Sequence, residues 1–269
     1  MGTKWKNAPV YHVIAQVRFS PVLSLDQYIP LIQENLRKVH FSDFQKSFVA
    51  TLNLNFGGKA TPDQPISAIA QPQANYLFVD DERESAFTVE TIALSLQTSH
   101  YDTFQPFLSQ LMHGLETVHK HVGLGFIDRI GIRFLDAVLP PRGESITRYI
   151  SPSVCGLAGQ LPQRELMHSI SETRTKSGDT ELMGRAIILT QAQNGQVAYP
   201  FDFGPSPVKL MDKFTNIEGT YAIIDTDSSY IKRQKFDLKF IEKTLVSLKE
   251  TLHESFDLMV TEDARRMWA

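Results

Sequence analysis

The chain has 269 residues, 42% of them hydrophobic and 21% charged, an ordinary globular composition and long enough for one large domain or two small ones at roughly 100–200 residues each. With 15 Gly and 14 Pro, collagen-like and low-complexity classes are excluded. A net charge of −3 argues against a protein held to nucleic acid by bulk charge, and a single cysteine, Cys155, excludes an internal disulfide and a zinc site built on several cysteines.

No apolar run follows Lys4 and Lys6, so no signal peptide is expected, and Lys6 stands where a myristoylation motif carries Ser or Thr. No apolar run approaches the ~20 residues of a membrane-crossing helix. A lone cysteine suits a reducing compartment, so a cytoplasmic protein is expected.

Residues 10–19 alternate, with Val13, Ala15, Val17 and Phe19 opposite His12, Ile14, Gln16 and Arg18, which predicts a strand closed by Pro21. Ser24 and Gln27 form a capping-box pattern ahead of a helical stripe of Leu25, Tyr28, Ile29, Ile32, Leu36 and Val39 that ends near His40. Pro30 sits either in the first turn of a helix starting near Ile29 or as a kink in a longer one. Residues 48–56 alternate as a strand stopped by Gly57 and Gly58, and 57–74, with Pro62, Pro65 and Pro72, read as a long loop. Short strands over 76–79, 86–90 and 92–97 form an antiparallel meander with a charged tip at 80–84.

The clearest helix covers 101–122, with Phe104, Phe107, Leu108, Leu111, Leu115, Val118 and Val122 on one face and Gly123 as its stop. A strand over 127–138 sets Ile130, Ile132, Phe134 and Val138 against Arg129, Gly131, Arg133, Leu135 and Ala137. Pro140, Pro141 and Gly143 then mark a boundary. Residues 144–164 read as a short helix and loop, 167–176 and 182–192 as a hairpin, and 194–209, with Pro200, Pro205 and Pro207, as a second long loop. A strand over 220–227 precedes a helix capped by Asp237, with Leu238, Ile241, Leu245, Leu248, Leu252 and Met259 near one face, and 262–268 form a short last helix. The pattern predicts an α+β fold: largely antiparallel sheets, each covered by a long amphipathic helix, in two similar halves at 7–139 and 144–269 that pack separately or as one domain.

Arg18, Arg129 and Arg133 stand inside strands. They either form a basic floor for a carboxylate or phosphate, to which the guanidinium fork is suited, or pair with Glu90, Glu172 or Asp136 on a wet sheet face. Asp225 and Asp227 share a strand face and could hold a divalent cation, or simply mark a strand running into a turn at Ser228 and Ser229. His113, His119 and His121 are spaced so that they cannot converge on one ion. Cys155 has no histidine near it in sequence and reads as a small buried residue. Lys232, Arg233 and Lys235 beside Tyr230 and Phe236 could grip a phosphate backbone, or form a solvated turn before a helix. No hydrolase elbow, phosphate-binding loop or zinc-protease motif occurs, no catalytic residues are nominated, and nothing calls for a cofactor.

Asn7-Ala8-Pro9-Val10, Gln16-Val17-Arg18-Phe19 with Pro21, Tyr101-Asp102-Thr103-Phe104, Arg129-Ile130-Gly131-Ile132-Arg133-Phe134-Leu135-Asp136 and Ile224-Asp225-Thr226-Asp227 together resemble a sporadically distributed family of bacterial proteins of about this length. The resemblance spans nearly the whole chain and carries over no catalytic residue. It implies accessory genes that move between genomes, as in phage-defence or toxin–antitoxin systems. The expected function is a non-enzymatic binding or interaction protein with a protein partner. The alternatives are a metal-assisted enzyme on a phosphate-containing substrate, with Asp225 and Asp227 on the metal and Arg129 and Arg133 on the phosphate, and a nucleic-acid binder using the arginines and the 232–235 cluster. The near-heptad spacing over 238–259 suits core packing as well as a dimer seam.

Overall fold

A computed structural model describes residues 5–54, 68–160 and 165–269. Among these, nine strands form one antiparallel sheet, accompanied by five helices, so the fold is α+β. The strands are β1 (Val10–Phe19), β2 (Asp43–Leu54), β3 (Ala68–Val79), β4 (Ser85–Glu90), β5 (Ala93–Thr98), β6 (Phe126–Val138), β7 (His168–Ser177), β8 (Thr180–Leu189) and β9 (Tyr221–Lys235). The helices are α1 (Leu25–Arg37), α2 (Phe104–Val122), α3 (Pro152–Cys155), α4 (Leu238–Met259) and α5 (Glu262–Trp268). The sheet order is β2-β3-β4-β5-β1-β6-β9-β8-β7. The β6–β9 pair therefore joins the strands before Pro140 to those after it.

Strand alternation sorts the side chains. Val13, Ala15 and Val17 of β1 and Ile130 and Ile132 of β6 share an apolar core with the buried stripes of α1, α2 and α4. A second core gathers the end of α4, α3 and α5 around Ile150, Phe256 and Trp268. On the opposite sheet face, the segment between β8 and β9 lays Val197, Ala198 and Phe214 over Tyr11, Leu135 and Ile223. Through Val208 the same segment reaches Val79 and Ala86 of β3 and β4. A bulge at Tyr11, where β1 advances two residues against one on β6, lets both Tyr11 and His12 reach Tyr199 on the covering segment.

Several expectations are revised. Helix α1 begins at Leu25, so Pro30 lies inside it, and Ser24 makes no side-chain capping bond. Residues 68–74, read as loop, belong to β3, which pairs with β2 along its length; the loop reading of 57–67, including Gly57, Gly58, Pro62 and Pro65, lies outside the described residues. Ser228 and Ser229 are not a turn, because β9 continues to Lys235 between β6 and β8. Two cap predictions hold. Gly123 takes the left-handed conformation (φ 72°) that ends α2, and the Asp237 carboxylate accepts from the amides of Lys239 and Phe240 at the start of α4.

Helix α2 approaches the sheet closely at Gly114, where a Cβ would stand 2.4 Å from the buried ring of Phe87. Alanine favours helix over glycine by about 1 kcal/mol, but overpacking costs about 1–3 kcal/mol. Because the Phe87 ring is fixed by its neighbours, Gly114→Ala is expected to destabilise the protein, read as a lower urea midpoint at unchanged slope.

Candidate functional site

The polar residues of the open sheet face converge where β6, β9 and β8 run side by side. Register sets Arg133 of β6 opposite Asp227 of β9, and Asp225 of β9 opposite Arg185 of β8. Asp225 is fully buried. Arg133 Nε donates to its Oδ1 at 2.8 Å and Arg133 Nη2 to its Oδ2 at 2.8 Å, while Arg185 Nη2 donates to Oδ2 at 2.5 Å. The Asp202 carboxylate, on the segment between β8 and β9, accepts from Arg185 at 2.7 Å and from Arg133 at 3.2 Å. Glu172 of β7 completes the chain through Arg185 at 3.4 Å and Arg174 at 2.7 Å. Arg185 is 1% exposed and Arg133 13%.

Burial opposes the charges on both arginines, but hydrogen bonds and attraction from Asp225 and Asp202 outweigh it and raise their pKa. Burial likewise works against the Asp202 charge, and the two arginines overcome it and lower its pKa. Two rings of the covering segment cap the guanidinium groups: Phe203 lies 5.4 Å from Arg133, and Phe201 5.3 Å from Arg185. Phe203 also stacks on Tyr199 and meets the edge of His12.

Arg129 and Asp227 are held more loosely. Arg129 Nη2 lies 3.5 Å from Asp227 Oδ1, and the side chains are 26% and 28% exposed. Burial raises the Asp227 pKa, against the opposing charges of Arg129 and Arg133. These two residues, with Gln16, Gln97 and Arg133, line a cleft of about 320 Å³ walled on one side by Phe203, Gly204 and Pro205. Arg18 is exposed, faces Arg129 across the β1–β6 ladder, and acts electrostatically on Glu90, whose pKa burial raises.

The structure thus brings Arg129, Arg133, Asp225 and Asp227 together and sets Arg18 at the rim. Arg133 belongs to a chain of alternating charges rather than to a floor of uncompensated positive charge. Asp136, a possible partner of the arginines, points to the other face of β6, as alternation from Arg133 and Leu135 requires. The two aspartates suit a cation poorly, because both oxygens of Asp225 already accept from guanidinium groups. Among the described residues no group of three or more His, Cys, Asp or Glu side chains is arranged to hold a metal. In the 232–235 cluster, Lys232 pairs with Asp179 and Arg233 with Asp128, Tyr230 packs on Phe240, and Phe236 stacks on His119. Cys155 is buried, and burial raises its thiol pKa.

Arg185 and Asp202 were missed in the sequence. Arg185 interrupts an apolar strand, at a position that pairs with Asp225 once β8 and β9 are aligned. Asp202 sits in an irregular segment, where no periodicity marks it. No helix among the described residues is long and apolar enough to cross a membrane. A comparison with family models found none that matches the chain, and a comparison with curated proteins found no match.

Proposed function

We propose that this chain is a non-enzymatic binding protein whose working surface is the open face of the central sheet, where β6 and β9 meet the covering segment. One observation carries this reading. The acids and bases at the centre of the cluster are spent on each other in short ion pairs, while beside them a cleft lined by Gln16 and Gln97 keeps a cation, Arg129, and an acid, Asp227, partly exposed. A general base or metal ligand needs lone pairs to offer, and those of Asp225 are occupied. This weighs against the metal-assisted enzyme on a phosphate-containing substrate, although its four residues stand together. The pairing of Lys232 and Arg233 with acids and the net charge of −3 weigh against a nucleic-acid binder.

The resemblance to a sporadically distributed bacterial family supports placing the protein in a cytoplasmic accessory system of the phage-defence or toxin–antitoxin kind, with a protein as partner. Two similar halves, each with its long helix, belong to the same proposal. They are supported by the long helices α2 and α4, one in each half, each following antiparallel strands of that half. Purification at native expression level followed by mass spectrometry of everything retained tests the function. A stoichiometric protein or small molecule is expected. A preparation that carries neither, yet turns over a phosphate ester, would replace this reading with the enzyme.

A further inference from the structure

A glycine in the middle of a strand weakens it, and Gly131 has no positive φ to require one. Its neighbour supplies the reason. A Cβ at Gly131 would meet Arg129 Nη1 at 2.6 Å and Cζ and Nη2 at 2.8 Å, so the guanidinium lies directly over the glycine. The missing side chain makes the bed in which Arg129 lies flat along its own strand, beside Gln16 on β1.

Two further observations mark this arginine as unsettled. Arg18 and Arg129 stand directly opposite each other on the ladder, a like-charge pairing that costs energy in an antiparallel sheet. Asp227, the ion-pair partner of Arg129 among the described residues, stays 3.5 Å away, while Arg133, four residues along, holds Asp225 at 2.8 Å.

Resting on the reading of the open face as a binding surface, we propose that the cleft over Gly131 takes a small organic oxyanion, a carboxylate or phosphate monoester, which pairs with Arg129 in place of Asp227 while its body lies against Gln16, Gln97 and Phe203. The cleft, about 320 Å³, is at the small end of ligand sites. A guanidinium forms two parallel hydrogen bonds with either oxyanion, contacts the Asp227 carboxylate does not supply.

Calorimetric titration of the full chain with AMP, adenosine, inorganic phosphate and benzoate tests this. AMP or benzoate is expected to bind and adenosine to bind far more weakly, and whichever anion binds separates the phosphate source from the carboxylate. Arg129→Gln should weaken binding roughly tenfold or more, the loss of a charge-assisted pair. Gly131→Ala should do the same at undiminished thermal stability, because its Cβ displaces the mobile end of Arg129 and leaves the backbone alone. Asp227→Asn should strengthen binding, since the ligand no longer competes with a resident carboxylate; a purely structural pair would not give that sign. Absence of binding by every probe at millimolar concentration, or affinities unchanged across the three variants, would overturn the proposal. The retention experiment above would still decide the broader reading by itself.

Discussion

Asp225→Ala is expected to destabilise the protein by about 3–5 kcal/mol, a large share of the ~5–15 kcal/mol that holds a typical domain together. The substitution leaves the guanidinium groups of Arg133 and Arg185 inside the sheet face without the carboxylate that each grips. Asp202 still contacts both, but from the rim. Arg185→Met should also destabilise the protein, but by less, because Arg133 still holds both oxygens of Asp225. The two losses should not add, because the second substitution removes a charge that has already lost its buried partner. Urea unfolding of the two single variants and the double checks this. High salt should change the result little, because Asp225 is shielded from counter-ions. A loss below about 1 kcal/mol, typical of surface ion pairs, would show that water reaches these groups and replaces their partners.

Asp136→Asn is expected to stabilise the protein at pH 8 by on the order of 3–5 kcal/mol and to leave it nearly unchanged at pH 4. Burial, then the charge of Asp225, pushes the Asp136 pKa up to about 8. The native protein therefore keeps this proton over a range in which the unfolded chain, with a pKa near 3.8, has released it. Its contribution is complete below the unfolded value and is lost as pH rises towards about 8. His12 acts in the opposite sense. Burial, assisted by the charge of Arg133 and opposed by a hydrogen bond with Gln97, lowers its pKa to about 4, so its contribution is present above the ordinary value of 6.5 and fades as pH falls to about 4. Between about pH 4 and 6.5 the two slopes offset each other. From 6.5 to about 8, of these two groups the Asp136 slope alone remains, a loss of roughly 2 kcal/mol at about 1.4 kcal/mol per pH unit. Asp227 and Glu90, also raised by burial, lean the same way, so the difference between wild type and Asp136→Asn isolates the Asp136 part. Melting temperatures across pH 4–9 provide the test; a wild-type decline from pH 6.5 to 8 that persists in the variant would assign it to other groups.

Where local chemistry dominates, the sequence was readable. Helices α2 and α4 show apolar spacings of three and four, and each has a residue whose chemistry marks an end, Gly123 and Asp237. Strands β1 and β6 show alternation over Val13–Val17 and Arg129–Arg133, where one face is packed under helices and the other carries Gln16, Arg129 and Arg133; at the Tyr11 and Leu135 end both faces are covered. The far half of β9 was not legible, since Ser228, Ser229 and the charges after them resemble a turn. Pairing on both sides holds it extended, and Ser228 Oγ donates to the Glu181 carbonyl on β8. The same cause hid the site. Alternation put Arg129 and Arg133 on one face of their strand and Asp225 and Asp227 on one face of theirs, but only the alignment of β9 on β6 and of β8 on β9 brings the four together and adds Arg185. The 194–209 segment was recognisable as irregular, yet nothing in it announced that Phe201, Asp202 and Phe203 would close over the arginines.

The position of β1 in the sheet also has a consequence for how the protein is made on the ribosome. Its inner neighbour β5 is complete at Thr98, but its other neighbour β6 is complete only at Val138, about 40 residues later. At synthesis rates of roughly 5–20 residues per second, the free side of β1 waits about 2–8 s for its partner. During that interval the nascent chain presents the unpaired amides and carbonyls of a strand that lies at the centre of the finished sheet, with Val13, Ala15 and Val17 on one of its faces. Slow codons between residues 99 and 138 would prolong that exposure, whereas the same codons after β6 would leave β1 protected.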